Sequence, residues 1–388
     1  MKRLYIERFY LNRADDEYPM TVRIVLQMKD DVDRHLLEEA VAFSWWDDCV
    51  ALDFFHALID GIAAYRILRT LLYEYCLRRY DSELDPTGVW KTGDIIDEAE
   101  RTDPATLPRP ASIHPQQLPE FPKVINLATD AIVPLADKKE VIQICISEEQ
   151  IMKRVRACGA TPTSFLSLIL ARTIARLHPE SAPLTPTVIV AVDLRKALGT
   201  TAAHHSQVGG LFLPLGQDMQ QADFETQVAA FRRLIADQTY PDNLQDYFWQ
   251  TQDRMERVEQ LPTLQARYQA SAPINQLCLQ YASCVFSYVG KAHLGAAERY
   301  VKEMRTETDS AFMIVVEVSA AAGVSCISFM QRFTTDVYLD TFLDELHQQG
   351  LAYEISDRHP LQIAPIADYR NTKVNGKSPD PRCHFLEQ

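Results

Sequence analysis

The sequence predicts a layered α/β (α+β) protein, mixed β-sheets with helices packed on them, and three observations carry that expectation. Segments that alternate apolar and polar residues recur along the chain. Between them lie segments whose apolar residues return at helical spacing. The two kinds do not follow one another as regular βαβ units, so a purely parallel sheet is not expected.

Taken in order, "TVRIVLQMK" (Thr21–Lys29) reads as a strand and "DVDRHLLEEAVAF" as a short amphipathic helix opened by aspartates. "DCVALDFF" is a strand with Val50, Leu52 and Phe54 on one face, and it delivers the chain to His56. From Ile62 the apolar positions Ile62, Tyr65, Leu68, Leu72, Tyr75 and Cys76 make a helix. Between Asp81 and Glu140 the pattern dissolves; Pro104, Pro108, Pro110, Pro115, Pro119 and Pro122 suit a crossing linker rather than a helix or a central strand.

"EVIQICIS" alternates as a strand, "SEEQIMKRVRACGA" reads as a helix capped by Ser147, and "TPTSFLSLILARTIARLH" as a second, internal helix. The basic "MKRVR" within the first of these reads as a solvated helix face rather than a phosphate site. "TPTVIVAVDLR", "VGGLFLPL" and "YASCVFSYVG" read as strands, and Asp223–Glu259 as polar amphipathic helices. "FMIVVEVSAAAGVSCISFMQRF" forms a hairpin around Ala321–Gly323, followed by a helix at Thr335–Gln349. The expected organisation is an N-terminal half at 1–100, a Pro-rich linker at 101–140, a C-terminal half at 141–370 and a flexible tail at 371–388.

With 388 residues, 47% of them hydrophobic, the chain can bury one large core or two medium ones, and two domains are the better reading. A net charge of −14 argues against nonspecific binding to nucleic acid or to an anionic membrane surface. Eight cysteines without a Cys-x-x-Cys pair read as reduced thiols of a cytoplasmic protein. The start has no apolar signal core and no run approaches the ~20 residues a membrane span needs. There is no G-x-G-x-x-G after a strand, no Walker loop, no G-x-S-x-G and no H-E-x-x-H. His204 and His205 are adjacent and lack a Cys or carboxylate at useful spacing, so no metal site is expected.

The informative stretch is "HALIDG". A histidine with aspartate four residues on is expected on the order of once by chance in such a chain, and requiring glycine next cuts this to a few in a hundred. Two readings stand side by side. In one, Asp60 caps the following helix and His56 fills a strand end. In the other, His56 on a tight turn offers a ring nitrogen to a cavity as a general base, and Gly61 lets the turn be sharp.

"HALIDG" after "DCVALDFF" resembles the His-x-x-x-Asp-Gly signature of the CoA-dependent acyltransferase superfamily, which includes chloramphenicol acetyltransferase, peptide-synthetase condensation domains, and alcohol and polyketide-associated acyltransferases. "TPTSFLSLILARTIARL", "VIVAVDLRKAL", "SQVGGLFLPL" and "FSYVGK" are similar to its later segments, in the same order. The resemblance implies two chloramphenicol-acetyltransferase-like half-domains meeting along a channel. Here "LLEEAVAF" runs almost directly into the motif strand, which implies a shortened N-terminal half.

It further implies His56 as the base that deprotonates a hydroxyl or amine acceptor, Asp60 as a structural carboxylate, and Arg195 as its partner. The alternative reading of Arg195, taken alone, is a surface charge at a strand end. Ser287 matches an oxyanion donor of some members, although Tyr288 stands where asparagine is usual, and its hydroxyl could instead be satisfied by its own strand. Gly61 and Gly290 would serve backbone geometry.

The implied co-substrate is acyl-CoA or an acyl chain on a carrier protein's phosphopantetheine arm, with no permanently bound cofactor. The implied partners are a small-molecule or lipid-like alcohol or amine and an acyl carrier protein. A monomer is expected. The alternatives are carrier-dependent condensation and a non-catalytic carrier-binding member of the same fold.

Overall fold

The computed structural model describes residues 21–29, 44–56, 59–80, 83–91, 94, 97–118, 120, 122–179, 183–263, 265–267, 269–270, 279–363 and 384–385. Its described strands are β1 (Thr21–Met28), β2 (Ser44–Trp46), β3 (Cys49–Phe55), β4 (Leu135–Ser147), β5 (Thr187–Asp193), β6 (Val208–Pro214), β7 (Cys284–Lys291), β8 (Val301–Thr308), β9 (Ile314–Ala321), β10 (Val324–Phe333), β11 (Glu354–Pro360) and β12 (His384–Phe385). The longer helices are α1 (Gly61–Tyr80), α2 (Glu148–Ala157), α3 (Pro162–Leu177), α4 (Phe224–Gln238), α5 (Pro241–Glu259) and α6 (Val337–Gln348). No described helix is long and apolar enough to cross a membrane.

The strands form two sheets, ordered β12-β2-β3-β1-β8 and β11-β4-β10-β9-β7-β5-β6. The second is mixed, since β7 runs parallel to both β5 and β9 while the other pairs are antiparallel. Each sheet packs one apolar face on helices. In the first, Val22, Ile24, Leu26, Val50 and Phe54 meet Ala64, Leu68, Leu71 and Leu72 of α1. Burying each such aliphatic side chain is worth roughly 1.5–3 kcal/mol, enough to fix α1 on the sheet. In the second, Ile142, Ile144, Val190, Phe286, Val316 and Phe329 meet Phe165, Ile169 and Phe342 of α3 and α6.

The division between halves is not contiguous in sequence. β8 lies within the expected C-terminal half, yet it pairs with β1 and completes the first sheet. The expected linker also ends early, because β4 begins at Leu135, and Pro104–Thr106 is a turn of 3-10 helix. Within the expected flexible tail, His384 and Phe385 pair with Trp45 and Ser44 of β2. The helix expected over "DVDRHLLEEAVAF" lies outside the described residues.

Local chemistry explains smaller differences. Ser147 stands at the start of α2 but its side chain makes no capping bond. Thr161 instead caps α3 through a reciprocal pair with Ser164, ahead of Pro162. The hairpin turn falls on Ala322 and Gly323, with φ of 52° and 81°, the left-handed pair that matches strand twist.

Candidate functional site

The candidate site lies where the His56 turn meets the second sheet. β3 ends at Phe55 opposite Thr21, and His56 follows immediately. The helix that begins at Gly61 is opened by Asp60, whose Oδ1 accepts from the Ala63 amide at 3.2 Å. Asp60 is 2% exposed and does more than cap. Arg195 Nη2 lies 3.0 Å from Oδ1 and 2.8 Å from Oδ2, and the Gln207 amide donates to Oδ2 at 3.0 Å.

Arg195, also 2% exposed, is fully engaged. Its Nε donates to the Ala203 carbonyl at 2.9 Å, Nη1 to Asp193 at 2.8 Å and Nη2 to the His205 carbonyl at 2.9 Å. A buried ion pair is tolerable only with its remaining donors met, as these are. Ile59 also pairs with His205 as an isolated β-bridge, and Arg66 Nη1 donates to the Ala202 carbonyl at 3.0 Å. The turn carrying His56 is thus clasped from behind by the loop between β5 and β6. Both sequence readings of Asp60, helix cap and arginine partner, describe the same carboxylate.

Burial holds the His56 imidazole below its ordinary pKa, while Asp60 and the backbone carbonyls of His56 and Ile59 pull the other way. The ring is therefore neutral at neutral pH, the state in which it can accept a proton. Its ring stands edge-on to Phe54, at 6.2 Å between centroids.

Gly61 needs a different explanation from a sharp turn. Its backbone is not in the left-handed region, but an added Cβ would stand 2.5 Å from Cγ2 of Val289. Glycine here lets the first turn of α1 approach β7, which carries Ser287 two residues before Val289. Gly290, with φ of 103°, sits where the β7–β9 register shifts between Tyr288 and Lys291.

Ser287 belongs to a polar row that crosses the second sheet in register. Ser287 of β7 faces Glu317 of β9, Glu317 faces Ser328 of β10, and Ser328 faces Gln143 of β4. The Ser287 hydroxyl donates to Glu317. Ser328 Oγ donates to Gln143 Oε1 at 2.8 Å, and Gln143 Nε2 to Glu307 of β8 at 3.3 Å. This is the face opposite the helices. Burial pushes the Glu317 carboxyl up to about 7 against the pull of Ser287.

Tyr65, one turn into α1, has its pKa raised by burial and then by Glu317 and Tyr288. It is 8% exposed, and its hydroxyl has no hydrogen-bond partner among the described residues. Glu317 and Tyr65 were not singled out as site residues by the sequence. The signal for Glu317 was a lone carboxylate inside the apolar run "MIVVEV".

Other sequence candidates separate from this place. His204 Nε2 lies 2.5 Å from Glu100 and its ring is edge-on to Trp90, while His205 contributes its carbonyl to Arg195. Arg154 of "MKRVR" meets Glu225 and Gln349.

No family model matches the chain, and no curated protein sequence matches it. Solved structures do. TRI101 of F. sporotrichioides, solved with coenzyme A and T-2, superposes with a TM-score of 0.55 at 11% identity, covering 89% of this chain and 98% of that one. The first condensation domain of the CDA synthetase gives 0.54 at 9% identity over 92% and 98%. Polyketide synthase associated protein 5 from Mycobacterium tuberculosis gives 0.52 at 11% over 89% and 96%. At such identities the likeness is one of fold. The chain has the chloramphenicol-acetyltransferase-like fold that these proteins share.

Proposed function

We propose that the protein is an acyltransferase that moves an acyl group from a CoA-type thioester, free or on a phosphopantetheine arm, to a hydroxyl or amine. The observation that carries this reading is the His56 turn, held from behind by the buried Asp60–Arg195 pair at 2.8 Å, in a fold of this kind. The neutral imidazole of His56 takes the proton of the acceptor as its oxygen or nitrogen attacks the thioester carbon. The tetrahedral intermediate collapses with loss of thiolate, to which His56 returns the proton. A thioester is already activated, so no covalent enzyme nucleophile is required.

Ser287 is assigned the oxyanion, with a condition set by its neighbour. A hydroxyl has one proton to donate, and an ionised Glu317 claims it. When Glu317 carries its own proton it donates to Ser287 instead, and the serine hydrogen turns to the oxyanion. Tyr65, with its unpartnered hydroxyl beside this pair, is assigned to hold the acceptor.

The test is release of free thiol from acyl-CoA and from an acyl carrier protein, each with a panel of hydroxyl and amine acceptors. His56→Ala is expected to slow release by roughly 10²–10⁴-fold with either donor. Full turnover in that variant would overturn the assignment, and no turnover by the native protein with any donor would overturn the function.

A further inference from the structure

The seam between the two sheets holds a second cluster that the proposed chemistry does not use. Cys145 of β4 and Cys326 of β10 are direct cross-strand partners, with their sulfurs 3.2 Å apart. Glu303 of β8, on the other sheet, places Oε2 3.4 Å from Cys145 Sγ. The three ligand atoms all lie within 4.8 Å of one another. From the geometry we infer that Cys145, Cys326 and Glu303 form a site for a thiophilic divalent cation of the zinc class, tying β8 of the first sheet to β4 and β10 of the second.

Four observations point the same way. First, Glu303 is 5% exposed, and its Oε1 has no hydrogen-bond partner among the described residues. A buried carboxylate oxygen left without a donor is costly, and a cation removes that cost.

Second, the spacing suits a metal better than a disulfide. Tetrahedral zinc at about 2.3 Å from sulfur and about 2.1 Å from oxygen separates its sulfurs by about 3.8 Å and sulfur from oxygen by about 3.6 Å. The observed 3.2 Å and 3.4 Å need only to open slightly. A disulfide needs the sulfurs to close to about 2.05 Å and would leave Glu303 as it is.

Third, the donor set is chemically matched, since two thiolates favour zinc over magnesium or calcium. The two sulfurs already stand side by side, with the Glu303 carboxylate against one of them. Binding releases both thiol protons. Two thiolates, one carboxylate and a divalent cation sum to −1, and the Arg305 guanidinium, which lies near enough to act electrostatically on Cys326 and Glu303 while it pairs with Asp357, offsets part of it.

Fourth, there is a way in. Cys145 is partly exposed, and Ser356 of the outer strand β11 lies 3.3 Å from its sulfur. Water or that hydroxyl would take the fourth position.

The test is a titration of the metal-stripped, reduced full chain with Zn²⁺ against a chromogenic chelator, with zinc per chain read by elemental analysis after dialysis. One equivalent is expected, along with a rise in thermal midpoint on binding. Cys145→Ser combined with Cys326→Ser should abolish the equivalent, and Glu303→Gln, which removes a direct ligand, should weaken it by at least the roughly 10-fold that loss of a supporting residue costs. Serine is nearly isosteric, so the fold of the double variant is checked by its circular dichroism; a refolded variant that still takes up one zinc overturns the site. So does a native protein that binds no zinc, or one that binds none yet loses these two thiols to glutathione disulfide, which would make the pair a redox couple. Because zinc uptake is read without substrate, its outcome is independent of whether the protein transfers acyl groups.

Discussion

Among the described residues, Glu317 is the carboxyl that burial lifts toward neutrality, and replacing it with glutamine isolates that effect. Glu317 is 8% exposed on β9, between Ser287 and Ser328 on the flanking strands. Burial raises its pKa from 4.5 to about 7, with Ser287 opposing. Below pH 4.5 both folded and unfolded chains carry the proton, and the group contributes nothing to pH dependence. From there to about pH 7 the unfolded chain ionises while the native one does not, so stability falls as pH rises. Above pH 7 the loss is complete, at about 3 kcal/mol from 1.36 kcal/mol per pH unit. Glutamine cannot ionise, so Glu317→Gln should match the native protein near pH 4 and exceed it by up to about 3 kcal/mol at pH 8. Urea unfolding of both proteins across this range, followed by tryptophan fluorescence, gives the difference directly. A difference that is flat with pH, or that shrinks as pH rises, would refute the reasoning.

Three further outcomes are expected. Asp60→Asn strips the charge from a pair with a fully buried arginine; since Asp193 still faces Arg195, the loss should be about 3 kcal/mol, the low end for such a break, and denaturant midpoints of the single and Arg195→Met double variants will show whether the two are coupled. Gly61→Ala drives a methyl into Val289 and should cost about 1–3 kcal/mol, with Val289→Ala in the same chain restoring most of it; absence of rescue would mean the close approach is not what requires glycine. Since burial holds His56 below its usual 6.5, the acid limb of kcat/KM for thiol release should fall below pH 6.5, and a limb above that value would assign the base to another group.

The candidate site was legible in the sequence where its parts are neighbours in the chain. His56, Asp60 and Gly61 lie within six residues, and a strand running into a helix between them left few geometries to consider. Periodicity gave the strands and the long helices because each buries one face, and a one-residue slip would expose it. Arg195 could not be joined to Asp60 by any local rule, since 135 positions separate them; only the resemblance linked them. The crossing of β8 into the first sheet was not visible, because nothing in "VKEMRTET" says which sheet it will enter.

What the sequence hid most thoroughly is a property of register. Gln143, Glu317 and Ser328 each interrupt an apolar strand, and taken singly each is a tolerated polar residue on a half-buried surface. Strand pairing sets them side by side with Ser287, and the same pairing sets Cys145 opposite Cys326 two positions along β4 and β10. These residues lie on the face turned away from the helices, where β8 brings Glu303, Arg305 and Glu307 to meet them. A sheet face that cannot be covered by an apolar layer must satisfy its polar groups against something. Here part of it is satisfied by β8 and part, at Tyr65, Glu303 and Glu307, is not fully satisfied by the described residues. Those incompletely met groups lie along the seam that joins the halves, so changes made there to test chemistry should also move stability, and the two have to be measured on the same variants.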